Sequence, residues 1–249
     1  MLRDLPRVIV VVPCFNEGER LRSDLFLAFA HERAHLSFCF VDDGSTDDTL
    51  KVLRAIEASA PSQFTVVALA GNRGKAEAVR AGICTVLQSG QAHFVGYWDA
   101  DLATPLTELD VFLDVATSNP EVRLLMGSRI QRMGSRVTRK AMRHYSGRLF
   151  ATIVSLRLRL PVYDTQCGAK LIEKGLAAEL FQDPFVSRWL FDVELLMRAI
   201  SSRGPEATQS FTYEVPLREW RDVGASKLRL TDFFKAPWEL LRIFLAYRS

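Results

Sequence analysis

Two carboxylates one residue apart, Asp99 and Asp101, close the apolar run His93 to Trp98 in the stretch Tyr97-Trp98-Asp99-Ala100-Asp101. Alternate side chains of an extended segment share one side, so at a strand end both acids can reach a single divalent cation. The pair is therefore a candidate metal clamp. Asp-x-Asp also occurs on ordinary solvated loops, and the rest of the chain has to separate the two readings.

Stepping outward, Val8-Ile-Val-Val-Val-Pro13 reads as a strand buried on both faces and stopped by a breaker, with Cys14-Phe-Asn16-Glu17-Gly at its end. A helix over about 18 to 34 leads to a second strand, Ser37 to Val41, followed by Asp42-Asp43-Gly44-Ser45-Thr46-Asp47, where Thr46 or Asp47 can cap the next helix. Phe64 to Leu69 is a third strand, Gly71-Asn72-Arg73-Gly74-Lys75 opens another helix, and Phe94 to Trp98 is a fourth strand. Strands alternating with helices predict an α/β fold with a mostly parallel sheet and a ligand crevice at the strands' carboxyl ends. Every polar cluster falls at such an end. Asp42 and Asp43 could accept hydrogen bonds from a base or ribose, or serve only as turn and cap residues. The helix start at Gly74 and Lys75 could offer phosphate oxygens backbone N–H groups and an ammonium, or Lys75 could be a solvated lysine.

The chain's 249 residues, 48% of them hydrophobic, suffice for one large core, and its net charge of +3 does not indicate a nucleic-acid-binding surface. The cysteines at 14, 39, 84 and 167 form no Cys-x-x-Cys pair, which argues against zinc and suits a reducing, cytosolic setting. The run Val8 to Val12 is too short for a signal segment, Arg157 and Arg159 interrupt the apolar stretch Ala151 to Leu160, and no segment reads as membrane-spanning. We read a domain over 1–230 and an amphipathic helical tail over 231–249, whose apolar face either packs on the core or lies on a membrane surface.

Cations crowd residues 129 to 148: Arg129, Arg132, Arg136, Arg139, Lys140, Arg143 and Arg148, with no acid among them. A solvated face normally interleaves acids, so an anion site is favoured, with Arg129, Arg139 and Arg143 as phosphate anchors and Ser146 adding a hydroxyl. Asp164 and Asp192 are candidate catalytic carboxylates, either a general base or acceptors for sugar hydroxyls. Asp192 lies in an apolar helical pattern, where a carboxylate is costly without a partner, and Arg188 or Arg198 could supply one. Asp164 could instead be a turn or cap acid.

The set Val12-Pro-Cys-Phe-Asn-Glu17, Val41-Asp-Asp-Gly-Ser-Thr-Asp47, Asn72-Arg-Gly-Lys75 and Asp99-Ala-Asp101 resembles family 2 glycosyltransferases, enzymes of the GT-A fold that use nucleotide sugars. In the second half, Gly127-Ser-Arg129, Asp164-Thr-Gln-Cys-Gly-Ala-Lys170, Trp189-Leu-Phe-Asp192-Val-Glu194 and Gly224-Ala-Ser-Lys227 resemble the branch that glucosylates or mannosylates dolichyl phosphate. Ala103 replaces the Gln of the mannosyl pattern, which favours the glucosyl members. Ala169 replaces a usual aromatic and could reshape the pocket. The resemblance implies a Rossmann-like GT-A sheet with helices on both faces and an inverting transfer of glucose from UDP-glucose to a polyprenyl phosphate. It places the nucleotide sugar at Pro13, Asn16, Glu17, Asp43, Lys75 and Asp99, and Mg²⁺ or Mn²⁺ on Asp99 and Asp101. It further implies a cytoplasmic enzyme held peripherally at a membrane's cytoplasmic face, with room for a membrane-protein partner. A GDP-mannose donor, a hydroxyl acceptor, or a binding module without turnover are the alternatives.

Overall fold

The computed structural model describes residues 5–137, 151–223 and 230–247. β-Branched and aromatic runs form the strands β1 (Val8–Cys14), β2 (Leu36–Asp42), β3 (Phe64–Ala68) and β4 (Phe94–Trp98), each followed by a helix: α1 (Ser23–His31), α2 (Thr49–Ser59), α3 (Lys75–Gln88) and α4 (Glu108–Ser118). Then come β5 (Leu124–Ser128), the short β6 (Arg136–Val137), helical residues 151–158 (α5), β7 (Ala169–Glu173), α6 (Lys174–Leu180), α7 (Phe191–Arg203) and α8 (Pro205–Phe211). The described chain ends with β8 (Thr212–Pro216), β9 (Glu219–Trp220) and α9 (Leu230–Ala246).

Seven strands form one sheet in the order β3-β2-β1-β4-β7-β5-β8, and β6 pairs with β9 beside it. All the pairings of the large sheet are parallel except those of β7, which runs against β4 and β5. This reversal positions the site. A parallel strand delivers its carboxyl end to the crevice, whereas β7 delivers its amino end, so residues 164–168 arrive where Asp99 leaves β4. The register sets Tyr97 opposite Lys170 and Trp98 opposite Ala169.

Apolar layers cover both faces. Val8, Val10 and Val12 pack with Phe26, Phe38, Phe40 and Phe64 on one face, while Val11, Cys39 and Val41 meet α3 and α7 on the other. The alternation explains the unbroken apolar character of β1, which is buried from both sides. Ala169 belongs to the first layer and is fully buried, so it fills core and does not reshape a pocket. Ala236, Leu240 and Ile243 of α9 join the second layer, while Trp238, Leu241 and Leu245 are exposed. The tail is therefore an amphipathic helix docked along one stripe.

Candidate active site

The loop after β1 holds the loop after β2. Asn16, at φ 50°, accepts the Thr46 N–H on Oδ1 at 2.9 Å and donates its own N–H to Ser45 Oγ at 3.0 Å. Glu17 is buried, pairs with Arg20 at 2.7 Å and donates its N–H to Thr49 Oγ1. Pro13 lies inside β1, level with Val41. The N-cap of α2 is neither Thr46 nor Asp47 but Asp48, whose side chain makes no capping hydrogen bond; Asp47, one residue earlier, accepts the Thr49 N–H on Oδ1 at 3.0 Å.

Asp43 is the keystone of the next loop. Its Oδ1 accepts the Arg73 N–H at 2.7 Å and its Oδ2 the Gly74 N–H at 2.8 Å. Burial pushes its carboxyl up, against the pull of those two N–H groups. The Gly74 N–H expected to meet phosphate is thus occupied from inside, and the Ala76 N–H goes to the Arg188 carbonyl at 3.1 Å. Gly74 has φ 92°, and a Cβ there would lie 2.8 Å from Arg188 Nε, so the turn requires glycine. Asp42 keeps one buried carboxylate oxygen, Oδ1, with no hydrogen-bond partner among the described residues.

Lys75 follows at the start of α3, and its Nζ meets Asp99 Oδ1 at 2.5 Å. Loss of water alone would depress this ammonium; the carboxylates of Asp99, Asp192 and Asp101 outweigh that and hold its pKa above the ordinary value. Asp99 is gripped from the opposite strand, donating its N–H to the Gly168 carbonyl at 3.0 Å. Its carboxylate occupies the space of a residue-168 side chain, since a Cβ on Gly168 would fall 1.9 Å from Asp99 Oδ2. Asp101 reaches solvent and accepts the Ala103 N–H on Oδ1 at 3.0 Å. Partial loss of water on the crevice floor, and then the Asp99 charge, push its carboxyl up. Ala103, where a Gln would mark the mannosyl pattern, is buried and gives its carbonyl to the Arg221 N–H.

The donor set at Asp99 and Asp101 suits Mg²⁺ or Mn²⁺. It consists of two hard carboxylates at the crevice, and among the described residues no cluster of three His, Cys, Asp or Glu could hold a metal unaided. Such a pair fits a cation that completes its shell with substrate phosphate oxygens and water.

Asp192 sits in the first turn of α7 and is buried. Neither Arg188 nor Arg198 is its partner. Oδ1 instead accepts from Lys170 Nζ at 2.5 Å and from the Tyr97 hydroxyl, because β7 and β4 face α7 directly below the crevice. Arg188 reaches the loop of Asn72 and Arg73, and Arg198 pairs with the fully buried Glu194 at 2.9 Å. Lys170 and Tyr97 were not singled out from the sequence. A lysine inside the apolar strand Ala-Lys-Leu-Ile-Glu was the available signal, since a charge there requires a buried partner.

Arg129 and Asp164 neutralise one another. Asp164 accepts from Arg129 Nε at 2.6 Å, Nη2 at 2.8 Å and the backbone N–H at 3.1 Å, in a bidentate fork. Asp164 also accepts the Gln166 N–H, and Glu214 holds the Tyr163 and Asp164 N–H groups at 2.8 Å each. Burial would lower Arg129 and Asp164 raises it further, so the guanidinium is held above its ordinary pKa. Its carbon lies 5.5 Å from the Trp220 ring centroid. Asp164 is thus turn acid and arginine partner together. Arg139, Arg143 and Ser146, with Lys140 and Arg148, lie outside the described residues, as does the Gly224 to Lys227 motif.

The pattern of Glycosyl transferase family 2 matches residues 9–181. A dolichyl-phosphate beta-glucosyltransferase of Trichomonas vaginalis is 30% identical over 96% of this chain and 71% of its own. One from Drosophila melanogaster is 34% identical over 91% and 71%. A glucosyl-3-phosphoglycerate synthase of Mycobacterium tuberculosis, solved with Mn²⁺, UDP-glucose and phosphoglyceric acid, superposes with TM-score 0.66 at 18% identity, covering 97% of this chain and 79% of that one. At that identity the likeness concerns fold alone: the mostly parallel sheet is a GT-A sheet. With the family pattern spanning most of the chain and the relatives matching along nearly all of it, the protein belongs to glycosyl transferase family 2.

Proposed function

We propose that this chain is an inverting glycosyltransferase that moves glucose from UDP-glucose to a polyprenyl phosphate of the dolichyl type at a membrane surface. The observation that carries the reading is the convergence of Lys75, Asp99, Asp101 and Asp192 on one crevice, and in the sequence the cation-rich segment 129–148 directly follows β5. The curated relatives named above bear this activity in their names.

The crevice wall of Pro13, Asn16, Glu17 and Asp43 takes the nucleoside. Lys75 places its ammonium against the diphosphate, where charge grows as the sugar leaves. A divalent cation on Asp99 and Asp101 would neutralise that developing charge. A phosphate monoester is already ionised near neutral pH, so the acceptor needs cationic positioning more than a base. Arg129 has Nη1 left after its fork to Asp164, and Arg139, Arg143 and Ser146 are assigned to the same phosphate. Asp192 is then available to accept a hydrogen bond from a hydroxyl of the transferred sugar.

The lipid reading is supported by the surface. Ile153 and Leu156 of α5 and Trp238, Leu241 and Leu245 of α9 are exposed, and Arg157 lies 5.0 Å over the Phe244 ring, bringing the two helices together. An apolar face fringed by arginines suits peripheral attachment to an anionic leaflet, here assigned to the cytoplasmic face. No helix of the described residues is long and apolar enough to cross a membrane.

The test is nucleotide release from a panel of nucleotide sugars, with and without dolichyl phosphate. UDP-glucose should turn over only with lipid phosphate and added Mg²⁺ or Mn²⁺, and chelation should abolish it. Turnover with GDP-mannose, or with a soluble alcohol and unaffected by Arg139→Ala and Arg143→Ala, would replace this reading. Donor binding without transfer to any acceptor would make the chain a binding module.

A further inference from the structure

Lys170 has no exposed surface, and its ammonium uses all three donors: Thr165 carbonyl at 3.0 Å, Cys167 carbonyl at 2.9 Å and Asp192 Oδ1 at 2.5 Å. Its Nζ lies 5.4 Å from the ring centroid of Tyr97, its cross-strand partner, whose hydroxyl also donates to Asp192 Oδ1. A buried ion pair is a poor source of stability, because apolar residues of similar volume do as well without desolvation. This one stands directly under the crevice and joins three pieces of it. Those pieces are the Thr165–Cys167 turn leading to Gly168, the strand that ends in Asp99, and the start of α7. With Oδ1 saturated, Asp192 Oδ2 accepts no hydrogen bond from the described residues.

We propose that Lys170 and Tyr97 are positioning residues that lock Asp192 by Oδ1, so that Oδ2 is presented to a hydroxyl of the donor's sugar. This role rests on the donor reading above and deepens it: discrimination between a nucleoside diphosphate and its sugar ester is set from beneath the crevice by two residues that touch neither. UDP does not carry the sugar, so the two ligands separate this role from a general loosening of the fold.

Calorimetric titration with UDP and with UDP-glucose, in the presence of Mg²⁺, tests it. Tyr97→Phe should weaken UDP-glucose about fivefold or more, in line with loss of one charge-assisted hydrogen bond, while UDP affinity stays within about twofold. In an Asp192→Asn background the same change should cost less than about twofold, the non-additivity expected of residues acting through one group. Lys170→Met strands a buried carboxylate and can unfold the chain, so it is paired with Asp192→Asn, which should restore melting but not the preference for UDP-glucose over UDP. Equal weakening of both ligands, or the same loss with and without the Asp192 carboxylate, would overturn the positioning role. Absence of UDP-sugar binding by the wild-type protein would overturn the donor reading and this role with it.

Discussion

The two sides of the crevice are built by different means. On the side proposed for the nucleoside, carboxylates and amides hold backbone: Asp43 takes two N–H groups of the α3 turn, and Asn16 takes that of Thr46. On the side proposed for the acceptor, side chains hold side chains. Arg129 forks onto Asp164, Lys170 meets Asp192, and further back Arg198 meets Glu194. The first construction shapes a loop with neutral donors, and its charges lie at the crevice, where Lys75 meets Asp99 beside the exposed Asp101. The second buries charges against each other and makes the site's geometry depend on exact pairing. The first side should therefore tolerate single losses better than the second.

Breaking the fork by Arg129→Met should have the largest effect of three substitutions. It removes the guanidinium that neutralises the buried Asp164, and urea denaturation should show a loss of about 3 kcal/mol, at the lower end of the cost of breaking a buried ion pair. A loss under about 1 kcal/mol would erase the contrast between the two sides. Asp43→Ala should cost about 2 kcal/mol by freeing two N–H groups, with the donor KM rising as the Gly74 turn loosens. A donor KM unchanged by Asp43→Ala would mean that this turn does not shape the nucleoside wall. Glu77→Ala, which removes an i,i+3 partner of Arg80 on α3, should change stability by no more than about 0.5 kcal/mol. It calibrates what a partly exposed ion pair contributes beside a buried one.

The same contrast explains what could be read without coordinates. The nucleoside side comes from consecutive βα units, so each polar cluster directly follows its own apolar strand, and the order of β1 to β4 with the crevice at their ends was legible from periodicity. The acceptor side depends on partners distant along the chain. Tyr97 and Asp192 are 95 residues apart and Arg129 and Asp164 are 35 apart, separations over which no local pattern acts. The sequence placed Asp192 in a buried helical pattern and called for a cation, but offered the nearby Arg188 and Arg198; the reversed strand β7 carried the actual partner. Asp43 illustrates a different limit. Its residue type suits a ligand contact and a loop clamp equally, and only geometry shows that both oxygens hold backbone. The helix start at Gly74 and Lys75 was similarly legible, but not the fact that the Gly74 N–H already has a home.

The family pattern ends at residue 181, and Asp192 lies beyond it. A chain cut at that boundary would retain the Asp99 clamp, the Lys75 helix and the whole of β7, and yet leave Lys170 as a buried ammonium with no carboxylate. The unit that recurs as a motif set is therefore smaller than the unit that can fold with its charges matched. Any truncation, fusion or domain exchange has to carry α7 along with the strands it neutralises.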